Sequence, residues 1–261
     1  TGEASGLSAH IGRGQLEAMT TLRPHAMPSG LSAVGLRAAN GLPIVVGTTL
    51  AVAYLLAPPM GADLAAQIAW AEVAERQWPA LLDLRWYGGV NPLGYSVLAP
   101  PLMAMLGVRL ATAVGYLAGV VVLTALLQRV PVRRPVAGGV VAALGLAGNL
   151  ASSRTTFVLG LAIALGALLA VAYHRRWLAV LLAVLTALTS PVAALFLTLA
   201  GVALALSGHR RTGIWLSASA AGPTIIVGLL FGNGGLMPFG PGQAAFAVLA
   251  SLIVVAACWD V

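Results

Sequence analysis

Asp63, Gln67 and Trp70 stand at i, i+4 and i+7, so on a helix a carboxylate, an amide and an indole share one face. A carboxylate so placed can take a proton from a hydroxyl as a general base, with the amide and ring orienting a ligand beside it. The three belong to "GADLAAQIAWAEVAERQ", residues 61–77, which also holds Glu72, Glu75 and Arg76. Asp63 follows a proline pair and Gly61 and opens a helical pattern, so it also has the chemistry of an N-cap. The residues leave both roles open. Glu72 and Arg76, four apart, read with Glu75 as a solvated face. Leu64, Ile68 and Ala71 form an apolar face. The stretch therefore reads as a short amphipathic helix lying on a membrane surface.

A second polar group follows in "LLDLRWYGGVNPLGY", residues 81–95, with Asp83, Arg85, Trp86, Tyr87, Asn91 and Tyr95. A guanidinium can hold a phosphate with two parallel hydrogen bonds. Arg85 and Arg154, the latter in "NLASSRTTF", are candidates for a lipid phosphate. Snorkelling to the interface is the alternative for Arg154 and the preferred reading of Arg109. Tyr87 and Asn91 are candidate substrate contacts, although aromatics here also suit an interfacial belt.

The elements that must position these residues are set by composition. Hydrophobic residues make up 59% of the 261 and charged residues 8%, and the mean hydropathy is +0.95. Soluble domains carry about 25% charged residues. Unbroken runs of Ala, Leu, Val and Gly exclude the alternation of a β-barrel. The expected fold is all-α, a polytopic transmembrane bundle of about eight segments. All fourteen basic residues are Arg and sit mainly in short clusters between apolar runs, as topology determinants do; a nucleic-acid partner is not expected. The single Cys258 excludes an intramolecular disulfide and a thiolate cluster. His174 and His209 flank arginines and read as interfacial residues. No metal site is expected.

The organisation follows from the runs. Residues 1–40 read as a polar cytoplasmic segment, and residues 41–261 as the membrane domain with an outward loop at about 58–107. Spans are expected at 43–57, 108–127, 136–150, 156–173, 214–231 and 244–259. Between 177 and 207 one apolar stretch reads as two short helices broken at Thr189, Ser190 and Pro191. Ending directly after an apolar run, the chain is expected to be incomplete at its C-terminus. The loops at 128–135, 174–176 and 209–211, with the N-terminal segment, hold most arginines and are placed inside; the 61–77 stretch then faces outward.

"GADLAAQIAW" after the first span resembles the first outer loop of the polytopic GT-C glycosyltransferases, of the type found among actinobacterial integral membrane proteins. "LRWYGGVNPLGYSVLAPPLMAML" is similar to that family's following segment. The resemblance implies a membrane enzyme that transfers a sugar from a polyprenyl-phosphate donor to an acceptor on the outer face. Asp63 matches the family's catalytic acid, and Ala66 and Gln67 match its small residue and Gln. The family's second acid is replaced by Ala65, which argues against the divalent metal some members use; no cofactor is implied. Membrane lipids, the polyprenyl-phosphate sugar and a membrane-protein subunit are the expected partners. Two other functions fit the residues: a secondary transporter, whose site would lie at the broken helix, and a non-catalytic membrane scaffold, since small residues throughout the spans permit close packing.

Overall fold

A computed structural model describes residues 33–77, 96–231 and 240–258. Its described residues are all-helical, with no strand. Two compact units divide at Leu42, Thr1–Leu42 and Pro43–Val261; of the first, residues 33–42 are described, as the start of a helix. The described residues form ten helices in order: α1 Ala33–Leu56, α2 Leu64–Arg76, α3 Ala99–Leu106, α4 Val108–Arg129, α5 Pro135–Ala151, α6 Thr155–Ala172, α7 Arg176–Thr189, α8 Pro191–Leu206, α9 Arg210–Phe231 and α10 Pro241–Cys258.

Helices α4 to α9 alternate in direction because each turn between them is short. Three of the turns close with the same device. The N–H of Arg154 reaches the Asn149 carbonyl, that of Arg175 the Ala170 carbonyl, and that of His209 the Leu204 carbonyl. Each is the long bond of a Schellman ending, which needs a left-handed residue just before the donor. Gly208 fills that place at φ 93°, Ser153 at 55° and His174 at 58°. Glycine adopts this conformation without steric cost; the other two need side-chain contacts to offset it.

Inside, the side chains are small. The cluster joining α6, α7, α8 and α9 is built from Ala164, Ala167, Ala183, Ala187, Ala194 and Ala220 around Leu197 and Leu216. Gly201 of α8 and Gly213 of α9 bring two backbones together: a Cβ on Gly213 would overlap the Gly201 carbonyl. The large apolar side chains point the other way. Leu195, Phe196 and Leu199 on α8, and Ile214 and Trp215 on α9, are exposed. A second cluster seats Ala51 and Tyr54 of α1 on Tyr116 and Val120 of α4 and on Ala143 and Leu150 of α5. Among the described residues two helices, α4 and α6, are long and apolar enough to cross a membrane by length and composition. Several other apolar helices are shorter; α7 has 14 residues, about 21 Å at 1.5 Å per residue against a hydrocarbon core of about 30 Å.

Several boundaries differ from expectation. α1 begins at Ala33, well before the expected start at Pro43, and carries that proline in its interior. The ring fits because Gly139 leaves the space: a Cβ there would stand 2.7 Å from Pro43 Cγ. The segment expected as a loop at about 58–107 contains two helices, α2 and α3, and Gly107 at φ 78° turns the chain sharply from α3 into α4. The expected break is present at Ser190, whose hydroxyl accepts the Ala193 N–H ahead of Pro191. This is an N-cap followed by proline in the first turn, a strong helix start.

Candidate functional site

The turn between α5 and α6 meets the turn between α1 and α2. Ser153 is fully buried and donates its hydroxyl to the Met60 carbonyl at 2.6 Å. The Tyr54 hydroxyl stands 3.5 Å from Ser153 Oγ; with the Ser153 proton directed to Met60, Tyr54 is left as donor. The Asp63 N–H donates to the Ser152 carbonyl at 3.2 Å. Gly61, at φ 126°, lies against this tip so closely that a Cβ would be 2.5 Å from Ser153 Oγ and 2.7 Å from the Ser152 carbonyl carbon. These contacts hold Ser153 in its left-handed conformation and fix the direction in which the next residue, Arg154, leaves the turn.

Arg154 Nε lies 3.6 Å from Asp63 Oδ2, with the two side chains 60% and 46% exposed. Of the two roles left open for Asp63, capping of α2 is not the one its side chain takes. It occupies the N-cap position, but its backbone is αR (φ −96°, ψ −3°) and its carboxylate makes no capping bond. A capping residue needs extended backbone to aim its oxygen at the first-turn N–H groups; here the oxygen faces the guanidinium of Arg154.

Gln67 and Trp70 follow Asp63 along one side of α2 as their spacing predicts, but they dock the helix. The Thr156 hydroxyl donates to Gln67 Oε1 at 2.8 Å, tying α2 to the first turn of α6. Trp70 packs with Leu64 and Leu159 against the cluster of Ala71, Ala99, Met103, Val108 and Ala111. The wet face is as expected: Arg76 and Glu72 pair at 3.3 Å, both exposed.

Arg109 does not snorkel. Its Nη2 donates to the carbonyls of Tyr54, Leu55 and Ala57, and its guanidinium lies over the Tyr54 ring, 5.2 Å from the centroid. The reason is electrostatic: the last carbonyls of α1 have no intrahelical donors and carry partial negative charge. Arg109 thus secures the end of α1 from which the Met60 to Asp63 turn begins.

The helix break is closed by burial and bonding. Thr189 and Ser190 are buried, and the Leu188 carbonyl accepts the Val97 and Leu98 N–H groups, at 2.9 and 3.2 Å, beside the Ser96 hydroxyl at 3.5 Å. The Leu188 carbonyl beside the break is thus already bonded by the segment entering α3. Arg85, Tyr87 and Asn91 lie outside the described residues.

The site thus unites Asp63 and Arg154, with Gln67, Thr156, Ser153 and Tyr54 as its supports. Tyr54, Ser153 and Thr156 were not singled out in the sequence. The one available signal was a helix hairpin tip, "NLASSR", with no glycine for the left-handed position, which asks what holds a serine there. Two shallow grooves, one on α1 along Ile44 and Thr48, the other between α8 and α9 along Val202 and Ser217, are not lined by any of these residues. No protein-family model matches the chain, and no curated protein or solved structure is similar to it at a significant level.

Proposed function

We propose that the chain is a polytopic membrane protein and that the end bearing α2 and the α5–α6 turn faces outward as a group-transfer site for a polyprenyl-phosphate sugar. The membrane placement is supported by the small-residue interior, the large apolar side chains outside, and two helices long enough to span. The arginines of the 129–134, 174–176 and 209–211 turns stand at the opposite end and favour its placement inside.

The observation that carries the reading is the Asp63–Arg154 pair. Two half-exposed groups 3.6 Å apart hold each other by no more than about 1 kcal/mol, because water screens them. A phosphate offering two oxygens binds the guanidinium more strongly. An arriving donor phosphate therefore takes Arg154 and releases the Asp63 carboxylate next to the anomeric carbon. Asp63 accepts the proton of the acceptor hydroxyl, whose oxygen bonds to the anomeric carbon. The bond from that carbon to the prenyl phosphate breaks, and the phosphate leaves with the electron pair, its charge held by Arg154.

The test uses the full-length protein in membranes with a polyprenyl-phosphate sugar. Asp63→Asn should lower transfer about 10²–10⁴-fold, the usual contribution of a general base. Arg154→Gln should raise the KM for the donor more than it lowers kcat. Transfer undiminished in Asp63→Asn removes the carboxylate from the chemistry.

A further inference from the structure

The opposite end of the bundle carries a charge arrangement that the transfer site does not use. Arg129, Arg133 and Arg134 surround the α4–α5 turn, Arg175 and Arg176 the α6–α7 turn, and Arg210 and Arg211 the α8–α9 turn, and all are exposed. His174 and His209 stand among them, also exposed. The sequence from residue 84 to residue 259 contains no Asp or Glu. Arg129 lies over the Tyr173 ring, 5.3 Å from its centroid, which joins the first two turns into one patch.

Arg129 lies in the last turn of α4, where a cation is favoured, but the cations at the starts of α5, α7 and α9 sit at unfavourable helix ends. Arg134 and Arg175 occupy the N-cap positions of α5 and α7, neither helix has a side-chain cap, and no acidic residue stands in the first turn of α5, α7 or α9. A helix N-terminus carries partial positive charge and favours anions. Adding an exposed guanidinium there raises the local positive potential further and favours an anion from outside the chain.

The surroundings select the kind of anion. Trp177 is 83% exposed directly after Arg176, Ile214 and Trp215 are exposed one turn after Arg211, and Tyr173, under Arg129, is exposed as well. Below them α7 continues with exposed Leu178 and Leu181. A soluble polyanion would leave this apolar wall in water. A lipid places phosphate against the arginines, its glycerol region against the aromatic rings and its tails against the leucines.

We propose that this end of the bundle is a binding surface for anionic lipid headgroups, centred on the α4–α5 and α6–α7 turns. The inference rests on the membrane placement proposed above and not on the transfer chemistry. The full-length protein, purified in an uncharged detergent, is offered equal amounts of phosphatidylcholine, phosphatidylglycerol and cardiolipin, and retained lipids are counted by native mass spectrometry. The anionic lipids should be retained in preference, and the preference should fall as salt is raised. Replacing Arg133, Arg134, Arg175 and Arg176 together by Gln should lower it about fivefold for each arginine removed, the equivalent of about 1 kcal/mol per basic residue at an anionic surface. The matching Lys replacements should keep it. Equal retention of the three lipids by the unaltered protein, a preference insensitive to salt, or full retention by the Gln variant overturns the proposal. So does preferential binding of an oligonucleotide at equal phosphate. Extraction of the chain from membranes by alkaline carbonate would sink the membrane placement itself; a membrane-embedded chain without lipid preference sinks this inference alone.

Discussion

Replacing Gly61 by Ala should dismantle the Asp63–Arg154 site without touching either charged residue. Gly61 has φ 126°, and its missing Cβ would point at Ser153 Oγ, 2.5 Å away, and at the Ser152 carbonyl carbon, 2.7 Å away. The serine hydroxyl can rotate, but the carbonyl carbon is backbone in a closed turn. To restore a 3.4 Å contact the two turns must move apart. That motion stretches the Asp63 N–H bond to Ser152, now 3.2 Å, and the Ser153 bond to Met60, now 2.6 Å. Forcing a residue with a Cβ into this backbone region costs about 1–3 kcal/mol. Loss of two hydrogen bonds at about 0.5–1.5 kcal/mol each brings the local cost to about 2–6 kcal/mol. Hydrogen exchange on the folded protein reads this directly: the amides of Asp63, Ser153 and Arg154 should exchange at least about thirtyfold faster, while those in the middle of α8 hold. Gly145→Ala is the control. Gly145 lies in α5 with open space around its would-be Cβ, and there alanine should be neutral or stabilise by up to about 1 kcal/mol. Native exchange rates around Asp63 in Gly61→Ala would refute the account of how the site is held.

The other supports give separate outcomes. Arg109→Gln should cost about 1–3 kcal/mol by leaving the carbonyls of Tyr54 and Ala57 without a charged donor, seen as a lower unfolding midpoint in detergent with Arg109→Lys intermediate; an unchanged midpoint would contradict the capping role. Ser190→Ala should lower stability by about 0.5–2 kcal/mol through loss of the α8 N-cap, measured by denaturant titration. Gly213→Ala should destabilise by about 1–3 kcal/mol, since the added methyl meets the backbone of α8; proteolysis at the α8–α9 turn should quicken, whereas Gly222→Ala, in open space, should leave it unchanged. A double-mutant cycle of Asp63→Asn with Arg154→Gln should return a stability coupling below about 1 kcal/mol; a much larger value would mean that the pair is a structural bond too strong for a phosphate to displace.

The parts of this molecule that were legible in sequence are those governed by one residue type or one period. The hairpin of α5 and α6 follows from two apolar runs on either side of "NLASSR". The α7–α8 break follows from Ser190 before Pro191, a cap and a first-turn proline in adjacent letters. The shared face of Asp63, Gln67 and Trp70 follows from helical spacing. What stayed hidden depends on partners distant in the chain. The reach of α1 through Pro43 requires the gap at Gly139. The turn of Asp63 away from capping requires the backbone angles imposed by Ser152. Arg109 looked like a snorkelling cation because its acceptors, the last carbonyls of α1, carry no sequence identity. No local pattern in "NLASSR" states that Ser153 would be buried and left-handed.

The sealed break bears on which of the competing functions the architecture favours. A broken helix in a transporter exposes backbone groups to the substrate, and its site alternates between the two sides. At Ser190 the backbone is already spoken for: Leu188 accepts Val97 and Leu98, and Ser190 accepts Ala193. Opening this region for passage would break those bonds and also lift Ser190 from Gly160, where a Cβ on the glycine would stand 2.5 Å from Ser190 Cβ. The Asp63–Arg154 pair asks for no such motion. It is half exposed at a turn, reachable from the surface, and displaced by a competing anion at a cost of about 1 kcal/mol or less. A reaction completed at one face suits that geometry better than carriage through the bundle. The discriminating measurement is labelling of a cysteine placed at Ser190 in a Cys258→Ala background: a sealed break leaves it unreactive toward a water-soluble maleimide from either side, and labelling from both sides would put transport ahead of transfer.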